Sequence, residues 1–416
     1  MSKTIWYINH HSGGPGVGSH YRAYELCGAW KDQGHHAHVF HGNYANRGQE
    51  VPHPEYQIID DIPFTGIKTL KYGSNGLKRF LSMLMFGWHL GAIPKNLAED
   101  EPRPDAIIIS TGHPFGIFAG KALAQKYRAK LVLEIRDFWP LTFYEVLGMS
   151  KLHPFSLLCD FAQKFALKNA DLVTSLLPRA NLYFEEFNRP VKAFSWTPMG
   201  ASELQSPENE NEISESFKTA TKFITEAHRK GKKIIIYAGA MGPANNVELL
   251  LSALEYGQNC EIGQQVNLLM VGDGILRPQL EIKATKLSQI EYHFSGMLSK
   301  VETQKLLELS DIGYAGGKNL PRLYRYGIAF NKLCSYMDAR LVTILVLEPC
   351  GDPLSESGCG IVDGTQDSSI MWEHIETLAT MNKKQRQQLG EKGYKYLHEV
   401  HNYKKIARDY ISAIFS

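Results

Sequence analysis

The feature that most constrains this chain is a repeated alternation of short, continuously apolar runs with helical runs. Thr4–Ile8 reads as a strand, followed by a glycine-rich turn, a helical pattern from about Ser19 to Gln33 and a second strand at His36–Phe40. Ala106–Ser110 and Leu131–Ile135 are apolar almost throughout, with the helical stretch Ile117–Arg128 between them, and Leu172–Leu176 and Val191–Phe194 continue the series. Runs that are apolar on both faces suit strands of a parallel sheet covered by helices on both sides. The rhythm predicts an α/β fold with an open sheet. It stops at Ser202–Ser216, the polar and acidic stretch SELQSPENENEISES, and then restarts. Strands are expected at Ile234–Gly239, Val266–Val271, Glu291–Phe294, Ile312–Tyr314 and Leu341–Leu347, and helices at Val247–Tyr256, Leu276–Lys286, Lys300–Leu309 and Asn331–Met337. The expected organisation is a Rossmann-like domain over 1–200, a linker over 201–232, a second Rossmann-like domain over 233–385 and a helical tail over 386–416 that packs back on the first domain. Open α/β sheets bind ligands beyond the C-terminal ends of their strands. Two facing sheets would therefore line one interdomain site.

Composition removes several function classes. Lys and Arg number 45 against 43 Asp and Glu, a net charge of +2, which argues against a nucleic-acid binder by bulk charge. The six cysteines are scattered with no CxxC pair, so zinc and thiol-redox motifs are not expected. The opening MSKTIWYINHH lacks the apolar core of a secretory leader, and few cysteines in a long chain fit a reducing cytoplasm. The longest apolar stretch, Phe80 to Pro94, falls short of the roughly 20 residues needed to span a bilayer. Within Lys68–Lys95, Leu77, Phe80, Leu81, Leu84, Met85 and Trp88 follow helical spacing after Lys68, Lys71, Lys78 and Arg79. A basic start with Trp and Phe fits a helix lying at an anionic lipid surface, peripheral on the inner face of a membrane. Met83, Phe86 and Leu90 make the other side apolar too, which fits a core helix equally well.

Five motifs stand at predicted strand ends. His10-His11-Ser12-Gly13-Gly14-Pro15-Gly16-Val17-Gly18 follows the first strand, where Gly14 and Gly16 would let the backbone approach a ligand and the next helix would offer N–H groups to an anion. The dinucleotide pattern GxGxxG fails because residue 19 is Ser and the next strand ends in Phe40-His41 rather than an acid. A flexible loop fits the same residues. Ser110-Thr111-Gly112-His113-Pro114 puts a histidine where ligands sit. Glu134-Ile135-Arg136-Asp137 brings opposite charges to a strand end, as a ligand site or a local ion pair. Tyr237-Ala238-Gly239-Ala240-Met241-Gly242-Pro243-Ala244-Asn245-Asn246 repeats the strand, glycine loop and helix order in the second half, with Asn245 or Asn246 as a cap. Arg325 and Asn331-Lys332 lie before and at the start of a helix, a combination suited to a diphosphate, and Val271-Gly272-Asp273-Gly274 forms a tight turn at the same edge.

Taken together, these residues resemble the GT-B glycosyltransferases, specifically the family-four bacterial transferases that add N-acetylated deoxy-aminosugars during O-antigen or capsule assembly. The segments that carry the resemblance are NHHSGGPGVGSHYRAYELCGAW, STGHPFGIFAGKALAQKY, LEIRDFWPLTFYEVLGMSKLHPF, YAGAMGPANNVELLLSA and LYRYGIAFNKLCSYM. The resemblance implies a retaining transferase without metal or other cofactor. A nucleotide-sugar donor, UDP-linked, would bind the second domain through Gly242, Asn245, Gly274, Arg325, Asn331, Lys332, Ser335 and Glu356. A polyprenyl-diphosphate-linked saccharide acceptor would bind the first through Gly14, Gly16, Arg22 and Arg136, with His113, Asp137 and Lys332 as the catalytic residues. Three places depart from the family pattern, one of them Ala329-Phe330, where the pattern has Ser-Pro before Asn-Lys. Ser335 stands where relatives carry an acidic residue, and Ala339-Arg340-Leu341-Val342 replaces Ala-Gly-Lys-Pro. A catalytically impaired relative or a UDP-sugar epimerase on the same fold is the alternative expectation.

Overall fold

The computed structural model describes residues 1–17, 20–46, 48–73, 76–93, 97, 101–201, 213–348 and 351–416. The chain divides into two compact units, Met1–Gly200 with Asn402–Ser416, and Ala201–His401. The first holds eight strands: β1 (Thr4–Ile8), β2 (His36–Gly42), β3 (Tyr56–Ile59), β4 (Ile62–Ile67), β5 (Ala106–Ser110), β6 (Lys130–Ile135), β7 (Leu172–Ser175) and β8 (Phe194–Trp196). Their order is β3-β4-β2-β1-β5-β6-β7-β8, with every neighbour parallel except β3 against β4. That β3–β4 hairpin is absent from the sequence-based expectation. Its two turn residues, Asp60 and Asp61, both adopt left-handed φ, as a tight hairpin turn requires, without the usual Asn-Gly signal.

The second unit is a six-stranded, all-parallel sheet: β9 (Lys233–Ala238), β10 (Val266–Val271), β11 (Tyr292–Gly296), β12 (Ile312–Gly316), β13 (Thr343–Val346) and β14 (Gly360–Val362), ordered β11-β10-β9-β12-β13-β14. Both central strands are wholly apolar and buried, Ile5–Ile8 in one sheet and Ile234–Ala238 in the other. In each sheet the order reverses beside the first strand, between β1 and β5 and between β9 and β12. These reversals are the switch points where open α/β sheets leave a crevice for ligands.

The expected linker is partly structured. Residues 202–212 lie outside the described residues, but Glu215–Arg229 is a helix capped by the Ser214 side chain. Phe217, Ala220, Ile224 and Ala227 form its buried stripe. Of the acidic residues that read as a loop, Glu215 lies in its first turn, where negative charge suits the helix dipole. The expected tail divides between the units. The helix Lys383–Val400 belongs to the second. The helix Tyr403–Phe415 closes the first: Trp30 Nε1 donates to the Ala407 carbonyl at 2.9 Å, Tyr410 stacks edge-on against Trp30, and its hydroxyl bonds Thr174 Oγ1 at 2.9 Å. The glycine-rich loop delays its helix to Arg22–Asp32, with Gly18 and Ser19 outside the described residues. Helix Leu77–Leu90 resolves the ambiguity of its sequence: Met83, Phe86 and Leu90 are buried, while Leu77, Leu81, Leu84 and Trp88 face outward. No helix among the described residues is long and apolar enough to cross a membrane.

Candidate functional site

At the switch point of the first unit, β1 runs into Asn9-His10-His11 and β5 into Thr111-Gly112-His113. Asn9 ties the two ends together, its Nδ2 donating to the Ser110 carbonyl at 3.1 Å and Oγ at 3.0 Å. His10 Nδ1 and His113 Nε2 are 3.0 Å apart, one donating to the other. The His10 ring stacks on His11 at 4.6 Å and on Phe86 at 4.8 Å. Glycines at the end of β2 and just past β5 make this possible. A Cβ at Gly42 would sit 2.4 Å from the His10 ring, and one at Gly112 would sit 2.6 Å from the His11 ring. Burial, with added repulsion from the neighbouring imidazoles and from Arg79, pushes the pKa values of His10 and His113 well below the ordinary histidine value. Burial likewise lowers His11 to about 4. All three are therefore neutral near pH 7. His10 Nε2, His11 Nε2 and His113 Nδ1 are buried polar atoms with no hydrogen-bond partner among the described residues. Such atoms are costly unless a ligand or water meets them.

The structure places the other first-unit candidates differently. Arg22 is not available to an acceptor. It is buried, donates three hydrogen bonds to Glu134 at 2.9–3.2 Å, and gives its remaining edge to the Thr197 and Pro198 carbonyls at 2.9 and 2.6 Å. Glu134 also accepts from the Tyr7 hydroxyl and from Ser110 Oγ. Burial alone would raise the pKa of Glu134, but the Arg22 charge and these hydrogen bonds outweigh it and hold the pKa below the usual carboxylate value. The reason is geometric: residue 134 is inside β6 rather than past its end, so its side chain joins the core. Arg136, half-buried, and Asp137, exposed, do lie past the end of β6. The Arg136 backbone N–H donates to Thr111 Oγ1 at 3.2 Å. Among the described residues, the partners of His113 are His10 and aromatic rings, and Asp137 is not one of them. Gly16 is exposed with φ +75°, and Gly14 is buried with its Cβ position 3.3 Å from the Phe64 ring.

The second unit concentrates its chemistry at the ends of β9 and β12. β9 ends at Ala238 and the chain turns through Gly239, whose φ of +149° favours glycine. A Cβ at Gly272 would lie 2.1 Å from the Gly239 carbonyl, and one at Gly274 would lie 2.4 Å from that of Met241. Gly274, expected at the donor, is thus required for the close approach of the β9 and β10 loops. Lys332, second residue of the helix Asn331–Asp338, sends its ammonium to Asn245 Oδ1 at 2.8 Å and over the Tyr237 ring at 4.8 Å. Burial pulls its pKa down to about 8. Asn245 is in turn fixed by its Nδ2 donating to the Ala240 carbonyl at 2.9 Å. Neither Asn245 nor Asn246 caps the following helix through its side chain. Asn246 takes the cap position with φ +43° and bonds Gln366 instead.

Three buried tyrosines, which motif reading passed over, brace these loops. Tyr237 donates to the Ala240 carbonyl at 2.6 Å, Tyr314 to the Asn246 carbonyl at 2.7 Å and Tyr336 to the Tyr314 carbonyl at 3.1 Å. Gly242 and Ser335 are half-buried; Asn331, Arg325 and Glu356 are exposed. The Arg325 guanidinium stands 5.5 Å from the centre of the Tyr326 ring. Glu356 lies on the short helix Pro353–Ser357. Lys332, Asn245, Tyr237 and Gly239 are therefore one constellation.

The sucrose-phosphate synthase of Thermosynechococcus elongatus superposes with a TM-score of 0.71 at 15% identity, over 99% of this chain and 98% of that one. WaaG, a glycosyltransferase involved in lipopolysaccharide biosynthesis, gives 0.65 at 14% identity over 99% of both chains. Anabaena HepE, solved with UDP and glucose, gives 0.62 at 14% identity over the whole of both. The chain has the GT-B fold. Residues 17–193 also match the family model of the glycosyl transferase 4-like domain. No curated protein matches the chain in sequence.

Proposed function

We propose that this GT-B chain is a retaining glycosyltransferase that moves a sugar from a nucleotide-diphosphate donor to a lipid-linked saccharide acceptor. The observation that carries the reading is the half-buried Lys332, its ammonium held by Asn245 and Tyr237 at the switch point of the second sheet. Breaking a glycosidic–phosphate bond leaves a diphosphate whose negative charge grows along the reaction. A preorganised cation in a water-poor pocket stabilises that charge far better than water does. At neutral pH a lysine with a pKa of about 8 is mostly protonated and can serve. The anomeric carbon becomes cation-like as the phosphate departs. The leaving phosphate takes the proton of the acceptor hydroxyl as the new glycosidic bond forms at the anomeric carbon. Lys332 supplies the charge that a metal ion would otherwise supply, so no metal or other cofactor is invoked.

The glycosyl transferase 4-like match over residues 17–193 supports glycosyl transfer, and the UDP held by HepE on the same fold supports a UDP-linked donor; acceptor binding in the first unit rests on the sequence resemblance. An N-acetylated aminosugar as the transferred group, a polyprenyl diphosphate as the acceptor's carrier, and a place at the cytoplasmic face of an inner membrane rest on the sequence resemblance. WaaG's part in lipopolysaccharide biosynthesis agrees with that setting. A second reading, a sugar-nucleotide binder with impaired transfer, is favoured by Ser335 alone. It stands three residues after Lys332, where a hydroxyl offers ribose a weaker acceptor than a carboxylate.

The test is a panel of nucleotide-sugars read by protection against thermal unfolding, followed by transfer assays with the best binder. A true donor raises the melting temperature by linkage and is consumed only when acceptor is present. Conversion of the donor alone to an epimer would establish the epimerase instead. Protection without turnover on any acceptor would establish the impaired binder.

A further inference from the structure

His10 and His11 take no part in the proposed transfer, yet their ring nitrogens decide what the end of β1 can bind. His11 Nδ1 lies 2.6 Å from the Ala45 carbonyl. A carbonyl can only accept, so this nitrogen carries the proton and His11 Nε2 is left with a bare lone pair. His10 is clamped flat between the rings of His11 and Phe86, at interplanar angles of 7° and 3°, and its Nδ1 meets His113 Nε2 at 3.0 Å. The clamp stops the ring from turning. Its Nε2 faces the chain just past β2, 2.8 Å from the Cβ position of Gly42, and the Tyr44 carbonyl, short of a hydrogen bond, favours a proton on this ring. With its proton on Nε2, His10 offers Nδ1 as an acceptor. His113 then donates from Nε2, and its buried Nδ1 is bare as well.

The cluster therefore holds two buried, bare ring nitrogens, His11 Nε2 and His113 Nδ1, on rings whose centres are 6.4 Å apart. Two lone pairs call for two hydrogen-bond donors. An anion has none to give, and it would bind only by forcing protons onto rings such as His11, whose pKa burial lowers to about 4. A cation is opposed by the Arg79 charge, which acts on all three rings. No cluster among the described residues is suited to a metal ion. Neutral hydroxyls remain, and a saccharide supplies them in adjacent pairs. We propose that His11 and His113 receive two hydroxyls of a neutral saccharide, and that His10 is a positioning residue that keeps the His113 proton on Nε2 so that Nδ1 can accept. That the saccharide is the acceptor rests on the transferase reading above. The tautomers and the hydroxyl contacts do not.

The test is nitrogen-15 NMR of the whole, histidine-labelled chain at pH 7, with rings assigned by single variants, alongside transfer kinetics on the donor and acceptor that the nucleotide-sugar panel selects. In the wild type, His113 is expected to carry its proton on Nε2 and His11 on Nδ1. Molar glycerol, a generic pair of adjacent hydroxyls, is expected to shift both bare nitrogens toward the hydrogen-bonded range, and inorganic phosphate to leave them unchanged. His10→Phe keeps the stacked ring and removes the nitrogen. His113 is then expected to divide between both tautomers, and kcat/KM for the acceptor to fall at least tenfold with the donor KM within twofold. His10→Asn, whose amide replaces Nδ1, is expected to restore the tautomer and most of the loss, whereas a merely structural role would leave it as impaired as His10→Phe. A His113 proton on Nδ1 in the wild type, an unchanged tautomer in His10→Phe, or phosphate that protonates the rings overturns the inference. So do nitrogens indifferent to glycerol, which would make the occupant a buried water. A wild-type chain with these tautomers and the glycerol shift that transfers to no acceptor sinks the transferase reading alone, and one that transfers without them sinks this inference alone.

Discussion

Lys332 and Arg340 show how much depends on single side chains. The Lys332 ammonium gives up solvent for Asn245 and the Tyr237 face, and that exchange is worth making only if an anion completes the site. Lys332→Ala is expected to lower transfer by about 10²-fold or more, with the far-ultraviolet dichroism unchanged. Arg340 is a different case. It stands where the sequence resemblance places a glycine and adopts φ +54°, a left-handed conformation that costs a non-glycine residue about 1–2 kcal/mol. Its guanidinium recovers part of that by pairing with Glu391 at 2.9 Å and stacking 3.5 Å from the Tyr394 ring centre, exposed contacts worth about 0.5–1 kcal/mol each. Arg340→Gly removes strain and contacts together and is expected to change stability by less than about 1 kcal/mol. Arg340→Ala keeps the strain and loses the contacts, so it should destabilise by about 1–2 kcal/mol in urea unfolding. The departure from the family pattern is thus accommodated within its own surroundings.

At the scale of elements, the ends of β1, β5 and β6 carry a buried polar layer with a definite pH response. His10, His11 and His113 have folded pKa values below the unfolded value, as does His41, lowered to about 4 by burial. Below about pH 6.5 the unfolded chain therefore binds protons that the folded chain refuses. Stability should fall as pH drops from about 6.5 toward 4, at about 1.4 kcal/mol for each unit by which each pKa is lowered. Urea midpoints across that range check this, and a flat profile would contradict the buried, neutral assignment. Glu134 adds a loss at lower pH, since its folded pKa is depressed and its stabilisation vanishes as it protonates. Arg22→Ala leaves that carboxylate buried and unpaired and is expected to cost about 3–5 kcal/mol.

These elements also show what the sequence could reveal. β5, β6, β9 and β10 were legible because parallel strands covered on both faces are unbroken apolar runs. The β3–β4 hairpin was not, because β3 alternates at an exposed edge and its Asp60-Asp61 turn lacks glycine. Lys332 and His113 were legible from their positions at element ends. Arg22 was misjudged because chain position cannot say that Glu134, over a hundred residues away, waits inside the sheet. His10 and His11 were given no role of their own because the space their rings fill is created by Gly42 at the end of β2 and Gly112 just past β5.

For the whole molecule, the two sheets are the same construction used for different chemistry. In each, the chain order reverses beside the first strand, and buried polar groups gather there: neutral imidazoles in one unit, a desolvated ammonium in the other. In the proposed reaction the charge needed by a departing diphosphate is assigned to Lys332, and the corresponding prediction is transfer at an undiminished rate in excess EDTA. The most direct test of the central claim is calorimetric titration of UDP into the wild-type chain and Lys332→Ala at pH 7 and pH 9. UDP is expected to bind the wild-type chain at pH 7, more weakly at pH 9 as Lys332 loses its proton, and the variant weakly and equally at both. Equal UDP affinity in the two proteins at pH 7 would contradict it.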